Sequence, residues 1–517
     1  MIDDKSSNFE KSGSLQNITE KISMPRDTSK QIPAEQAHVR LQSGGVRGVR
    51  ELVHNSKKSM YFQWKPGIIE IAFFEKEGKA MKRWRVFLFL CALLVPLRVF
   101  AVPADRPSLL FVCAAASEAA YSGALPELLR ARLAAAGWQI ESYETAGHKG
   151  TVGRFFHMVR REEDGQETHL IAFPGTERGS DVWTDLRLGR AVFGGRTPAE
   201  FLSMRDAPVT ERKDTPLVHR GFLDYTQAAL FTDVLSAYGE RTAGEVLADE
   251  LRAHPSAKLY LTGHSLGGAA AILAAARLFD MGAAPEQLIV TTFGTPAVGN
   301  GAFARTYAGK FTLYRVVMRG DPMKDLLAAP LGFQQFGERI PWRLAPSTAS
   351  FPHAMMAYVD AAIRQLYDAH GGDSAYLFLM GRTNRTQGHT VYAAPIETAL
   401  DPLLMEDAPY MKAVLRDALY VRNARVVFAA DGGGLSEEGL LRGLNAHLAA
   451  ARAAGAAQLI AYRIAGARVR DARVTYRLTL ERAVYDMEGN LIAAGSRSAR
   501  TGTLTPIEAV LYLFAQD

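Results

Sequence analysis

The pattern of apolar and polar positions changes character along the 517 residues. From about 105 to 370, apolar runs of strand length alternate with helical stretches. Leu109–Ala115 reads as a strand and Pro126–Ala136 as a helix. Phe155–Arg160 and His169–Phe173 read as paired strands around a polar turn at Asp164-Gly165. Helical patterns follow at 223–238 and 241–253. Then come a strand at Lys258–Thr262, a helix after Ser265, a strand at Leu288–Phe293, a helix after Thr295, a strand at Leu313–Met318 and a closing helix at 351–369. Such alternation predicts an α/β architecture with a mainly parallel sheet covered on both faces. Beyond the linker Gly371-Gly372-Asp373 the period changes. Pro409–Tyr420 and Ser436–Ala454 read as helices, and Gln458–Arg470, Arg473–Tyr485 and Leu491–Ser496 as strands. Val474, Tyr476, Leu478 and Leu480 alternate with polar residues, as in a half-buried antiparallel strand. This predicts a smaller C-terminal α+β domain over 371–517 with its own core. Residues 187–217 form a long, weakly patterned insertion, and most of 1–80 is polar with no clear period.

Between the tail and the body lies a third pattern. Met81-Lys-Arg-Trp-Arg85 is basic, Val86–Leu97 is an apolar run, and Val99-Phe-Ala101 and Val102-Pro-Ala104 offer small residues at cleavage positions. That order is a signal peptide, 81–104, and the run is too short to span a bilayer as a helix. Met81 is therefore the expected initiator, with 1–80 a disordered or upstream extension, the rival reading being a cytoplasmic tail ahead of an uncleaved anchor, and the body is expected to be exported, to a periplasm or out of the cell.

Charge alters this picture little. The formal charge of +6 splits into +7 in the first 104 residues and −1 in 105–517, which holds 43 basic and 44 acidic residues. A body so near neutrality offers no electrostatic basis for nucleic-acid binding. Cys113 is the lone cysteine of the body, so no disulfide within it is possible, and it reads as buried. No cluster with metal-ligand spacing is visible, and no cofactor is expected.

The chemistry concentrates at Leu259-Tyr-Leu-Thr-Gly263-His264-Ser265-Leu266-Gly267-Gly268-Ala269. An apolar strand runs into Gly-x-Ser-x-Gly, and an alanine-rich helix follows. This is the nucleophile-elbow pattern, which projects a serine hydroxyl above the sheet. A serine nucleophile needs a base and an acid to orient it, and the chain order for this architecture is Ser, acid, His. Asp321 follows the strand 313–318 and is the leading acid, with Asp325 the alternative. Of the histidines after Ser265, His353 stands at the mouth of the closing helix. His370 lies beside the linker, and His389 and His447 lie in the second domain. His353 is the expected base.

Several further segments resemble one family. They are Ile171-Ala-Phe-Pro-Gly175-Thr176-Glu, Asp181-Val-Trp183-Thr-Asp185-Leu186, Val218-His219-Arg-Gly221-Phe222, Thr262–Ala269, Phe293-Gly-Thr-Pro296-Ala-Val-Gly299-Asn300, Arg315–Asp321 and Phe351-Pro-His353-Ala-Met355-Met-Ala-Tyr358. In this order, over about 105–370, they resemble the class 3, or fungal-type, lipases of the α/β-hydrolase superfamily. The resemblance implies Ser265 as nucleophile, Asp321 as acid, His353 as base, and the backbone N–H groups of Thr176 and Leu266 as oxyanion hole. His219, His264, Trp183 and Asp185 match positions with structural roles. A family-type lid is expected in 187–217, with Val192, Phe193, Phe201, Leu202 and Met204. The implied function is hydrolysis of lipid carboxylic esters through an acyl-enzyme at a membrane or lipid–water interface. Phospholipase A1 activity is the alternative reading, and a vestigial lipid- or envelope-binding protein the reading from another class. Pro174 and Asp321-Pro-Met-Lys depart from the usual family residues. The segment 371–517 is expected to contact an envelope or protein partner.

Overall fold

The structure, a computed structural model, describes backbone strands within 52–75 and then residues 105–517, except 147–150, 162–166, 177–188, 211, 324–326, 328–331, 349–350, 371–388, 424, 430–439 and 471–473. The signal segment 81–104, the linker 371–373, Asp325, Trp183 and Asp185 lie outside the described residues. The chain divides into two compact units, Met1–Pro96 and Leu97–Asp517. In the first, Leu52–Asn55, Lys58–Lys65 and Ile68–Glu75 form an antiparallel meander. The expectation of a patternless tail does not extend to these residues. They are rich in Tyr, Phe, Trp and Ile, and a Pro66-Gly67 turn signal separates two of the runs.

The second unit is built on a seven-stranded sheet. Its strands are β1 (Gln139–Ala146), β2 (Val152–Arg161), β3 (Glu167–Phe173), β4 (Leu259–His264), β5 (Leu288–Phe293), β6 (Thr312–Met318) and β7 (Glu338–Trp342). They lie in the order β7-β6-β5-β4-β3-β2-β1. The five from β3 to β7 are parallel, and β2 and β1 continue the sheet antiparallel. Every residue of β4 is buried, as expected of a central parallel strand.

Helices cover both faces. On one side lie α1 (Arg106–Ala119), α2 (Ala124–Ala135) and, later in the chain, Met355–His370. On the other side, α3 (Pro198–Asp206), α4 (Arg220–Gln227), α5 (Ala243–Ala253) and α6 (Leu266–Asp280) share a second apolar cluster. The short α7 (Gly301–Tyr307) precedes β6, and Met355–His370 is α8. One sequence expectation is overturned here: Leu109–Ala115 is helical, inside α1. Asp105 caps that helix by accepting from Ser108 N–H at 2.9 Å, and Pro107 sits in its first turn. A fully buried apolar run has no period that distinguishes helix from strand, so the cap decides. Cys113, on this helix, is buried, and burial pushes its thiol up to about 12.

The C-terminal part has its own mixed sheet. Its strands are β8 (Thr390–Ala393), β9 (Glu397–Leu400), β10 (Arg425–Phe428), β11 (Gln458–Arg470), β12 (Val474–Tyr485) and β13 (Leu491–Arg500). The order is β10-β8-β11-β12-β13, with β9 also on β11. The helices α9 (Ala408–Arg422), α10 (Leu440–Ala453) and α11 (Pro506–Ala515) complete it. Part of its core is its own, around Tyr392, Leu448, Leu459 and Tyr485, and part is shared. Leu110, Val359, Ile363 and Leu366 of the hydrolase part belong to the same apolar cluster as Met411, Leu415, Ile507 and Phe514. Helix α8 packs on α9, and α11 packs on α2. Arg364 of α8 bridges Asp360 and Asp407, each at 2.6 Å, across this seam.

Candidate active site

Ser265 ends the turn between β4 and α6 with φ 54° and ψ −118°, one of two non-glycine residues at positive φ among the described residues. Its own N–H donates to Phe293 O at 2.9 Å, which holds the strained turn against β5. A serine at a helix N-cap ordinarily accepts from the first turn. Here the hydroxyl makes no capping bond. It turns instead to His353, whose Nε2 lies 3.3 Å from Ser265 Oγ. The glycines explain how the turn fits. A Cβ on Gly263 would meet Gly267 C at 2.3 Å, and one on Gly267 would meet Phe173 O at 2.1 Å. The elbow is therefore pressed onto the end of β3, from which Pro174-Gly175-Thr176 departs.

His353 Nδ1 lies 2.9 Å and 3.0 Å from the two oxygens of Asp321. Since the carboxylate accepts at Nδ1–H, Nε2 is left with its lone pair toward Ser265. Asp321 also accepts from Tyr358 O–H at 2.6 Å and from Met323 N–H at 2.9 Å. Burial alone would raise this carboxyl. The hydrogen bonds and the positive character of His353 outweigh burial, and the group is held below its ordinary range. Asp321 is 1% exposed, Ser265 8%, and the His353 side chain 32%. The acid is thus sealed, while the base faces the opening. Gly294, at φ 56°, makes room for this arrangement, since a Cβ there would meet Asp321 Oδ2 at 2.5 Å.

A second layer fixes the base. His264 Nε2–H donates to His353 O at 2.8 Å, so its Nδ1 accepts from Tyr121 O–H at 2.7 Å. Burial, with His353 beside it, pushes the His264 imidazole down to about 3, so it stays neutral. The Tyr121 hydroxyl fills the space where a Cβ on Gly175 would sit, 2.0 Å away, which ties the Thr176 segment to the same network. Sequence reasoning did not single out Tyr121 or Tyr358. Tyr358 carried a signal, because it lies on the buried stripe of α8 with Met355, Val359 and Ala362, where a phenol must find a partner. Tyr121 carried none.

The other expected residues fall as follows. Thr176 is exposed at the end of its strand, and Leu266 opens α6, where a first-turn N–H has no partner within the helix. The close approach of Gly267 to Phe173 brings the end of β3 against the elbow. His219 is buried, caps α4 by accepting from Phe222 N–H at 3.3 Å, and is pushed down to about 4 by burial. His370 lies 3.1 Å from Asp105, away from Ser265. The expected lid does not hold for the described part of 187–217. Phe193 and Phe201 are buried, and the Arg277 guanidinium lies 4.0 Å and 3.9 Å from their ring centres while donating to Gly194 O. These apolar residues anchor the segment to the core. No group of three or more potential ligands fit for a metal ion occurs among the described residues.

Residues 170–329 match the family model for class 3 lipases. A lipase of Rhizomucor miehei is 35% identical over 187 residues, covering 35% of this chain and 43% of that protein. A lipase of Rhizopus niveus is 39% identical over 143 residues, covering 27% of this chain and 30% of its own length. This chain thus spans less than half the length of the curated relatives it matches. Among solved structures, lipase II from Rhizopus niveus aligns with 20% identity and a TM-score of 0.33, over 46% of this chain and 82% of that one. Residues 170–329 of this chain, which carry the strand-elbow-helix, are thus similar to the class 3 lipases.

Proposed function

We propose that this chain is an exported serine hydrolase that cleaves carboxylic esters of lipids through an acyl-enzyme. The observation that carries the reading is the hydrogen-bonded series Ser265 Oγ, His353 Nε2, His353 Nδ1 and Asp321. In the first half-reaction Ser265 Oγ bonds to the ester carbonyl carbon and its proton passes to His353 Nε2. Asp321, held anionic, stabilises the resulting imidazolium. The carbonyl oxygen becomes an oxyanion and accepts from the Thr176 and Leu266 N–H groups, an interaction whose loss costs about a hundredfold or more. The intermediate collapses, the C–O bond to the alcohol breaks, and His353 delivers its proton to the leaving oxygen. Water then repeats the sequence on the acyl-enzyme, releases the fatty acid and restores Ser265.

Lipid as the acyl donor is supported by the family match and by the names of the Rhizomucor and Rhizopus relatives, both lipases. Export is supported by the basic, apolar and small-residue order of 81–104. The test is a fluorophosphonate probe on the full chain, with hydrolysis measured over short p-nitrophenyl esters, triglycerides and phospholipids. Labelling at Ser265 and turnover of at least one lipid ester are expected. A folded protein that neither labels nor hydrolyses any of them would overturn the reading. N-terminal sequencing of natively produced protein is expected to find a start near Ala101 or Ala104.

A further inference from the structure

Thr176 stands on a short segment, Pro174-Gly175-Thr176, that leaves β3 after Phe173. An oxyanion donor is useful only where its N–H points at the developing charge, so whatever fixes this segment sets the strength of the hole. Among the described residues, no backbone hydrogen bond of a turn or loop reaches Pro174, Gly175 or Thr176. Packing and side chains hold them instead. On one side Gly267 presses on Phe173 O, and the Tyr121 hydroxyl and His264 O crowd Gly175. On the other side stands Tyr225 of α4.

Tyr225 O–H is shared between two carbonyls, Arg154 O at 2.9 Å and Pro174 O at 3.4 Å. The strand register explains why a donor is needed there. Phe156 of β2 pairs with Ala172 of β3, so by the same count Arg154 stands opposite Pro174. Proline has no N–H, and Arg154 O therefore cannot be met from residue 174. The phenol supplies a donor from α4 at the point where the two strands part. Its own position is fixed by packing. The Tyr225 ring lies against the apolar cluster shared by α3 to α6, and α4 packs on both α6 and β2. A Cβ on Gly153 would meet Ala229 N at 2.3 Å, which shows how closely the start of β2 is pressed onto the chain that continues α4. Burial pushes the Tyr225 phenol well above its ordinary value, so it keeps its proton and donates at neutral pH.

We propose that Tyr225 is a positioning residue of the oxyanion hole: by joining Arg154 O and Pro174 O it sets the direction of the Thr176 N–H. This role rests on the reading of Ser265 as nucleophile and Thr176 as donor. Tyr225 has no hydrogen bond to His353 or Asp321, so its effect falls on the oxyanion and not on the base.

The test compares the full chain with Tyr225→Phe, which removes one oxygen and keeps the packed ring. Hydrolysis of a short soluble p-nitrophenyl ester is measured from pH 5 to 9, with sites counted by fluorophosphonate labelling so that any unfolded fraction drops out. Inhibition by an alkylboronic acid is measured alongside. In that adduct Ser265 Oγ bonds to boron, the Oγ proton passes to His353, and a boronate oxygen takes the place of the oxyanion. The expected result is a fall in kcat of about tenfold, part of the hundredfold or more that loss of a whole donor costs. KM should stay within about twofold, the inhibition constant of the boronic acid should rise by the same factor as kcat falls, and the acid limb of the kcat–pH profile should stay in place. A purely structural role would lower the melting midpoint and leave kcat per labelled site and boronic acid affinity unchanged, which overturns the assignment. A fall in kcat with unchanged boronic acid affinity, or with a displaced acid limb, overturns it as well. If wild type neither labels nor hydrolyses any ester, the hydrolase reading fails and takes this role with it. An active wild type with an unaffected variant removes this role alone.

Discussion

Helix α8 serves two sets of buried acids that are handled in opposite ways. Toward the sheet, Tyr358 donates to Asp321, which also accepts from His353 and Met323. Three elements supply donors, and the carboxylate stays charged in spite of burial. Toward the C-terminal part, Asp360 and Asp407 share Arg364, while Glu118 of α1 and Glu508 of α11 lie nearby with few donors. Glu508 takes Thr505 N–H at 2.7 Å on one oxygen, and its other oxygen has no partner. Burial pushes Glu508 well above its ordinary value and Glu118 up to about 7. The number of donors, not burial, separates an acid that can hold an imidazolium from one that takes up a proton.

The sharpest way to break this comparison is at the charged acid. Asp321→Asn keeps the shape but presents an amide to Nδ1, favouring the wrong tautomer. A loss of about 10⁴ in kcat is expected on a short soluble ester. A mild effect would show that Asp321 does not orient His353. Next in size is the seam. Arg364→Met leaves Asp360 and Asp407 buried without the cation they share, a destabilisation of about 3–5 kcal/mol. Calorimetric melting should show a marked drop in midpoint, and an unchanged midpoint would mean that the bridge is not formed. Removal of 371–517 should be worse still for folding, because it strips the apolar cover from α1 and α8.

A smaller effect is expected at Tyr358→Phe. The lost bond to a charged group corresponds to about 1.5–3 kcal/mol, which allows roughly a ten- to hundredfold fall in kcat. The acid limb of the kcat–pH profile should move with it. A purely packing role would leave that limb in place. The test most diagnostic of the seam acids is at Glu118→Gln. With its folded value near 7 against an ordinary 4.5, Glu118 favours the folded state fully below about pH 4.5, and that contribution is lost as pH rises through about 7. The variant should therefore gain on wild type by up to roughly 3 kcal/mol at pH 8 and not at pH 4. Denaturant melts at the two pH values would decide, and a pH-independent difference would count against the protonated seam.

Much of the candidate site could be read from residue order alone. The elbow has a rigid local grammar of strand, glycine, serine, glycine and helix, because close backbone contact excludes any Cβ at Gly263 and Gly267. Asp321 and His353 followed from chain order and from their places at element ends. What eluded reading depended on distant partners. The run 109–115 has no period, and Asp105 with Pro107 made it a helix. Phe193 and Phe201 looked like a mobile cover because nothing in their neighbourhood announces Arg277, about 80 residues away, as their common partner. The seam hid for the same reason: a glycine-rich linker marks a change of sheet, and says nothing of whether the two sheets' helices share one interior.

The contact between α2 and α11 has a consequence for how the molecule comes into being. These helices lie about 380 residues apart, so one of the first surfaces to emerge during synthesis must wait for one of the last before its apolar side is covered. Early folding of the hydrolase half would leave that side open to self-association for most of translation. A chain kept unfolded until its whole length has crossed a membrane would escape this interval.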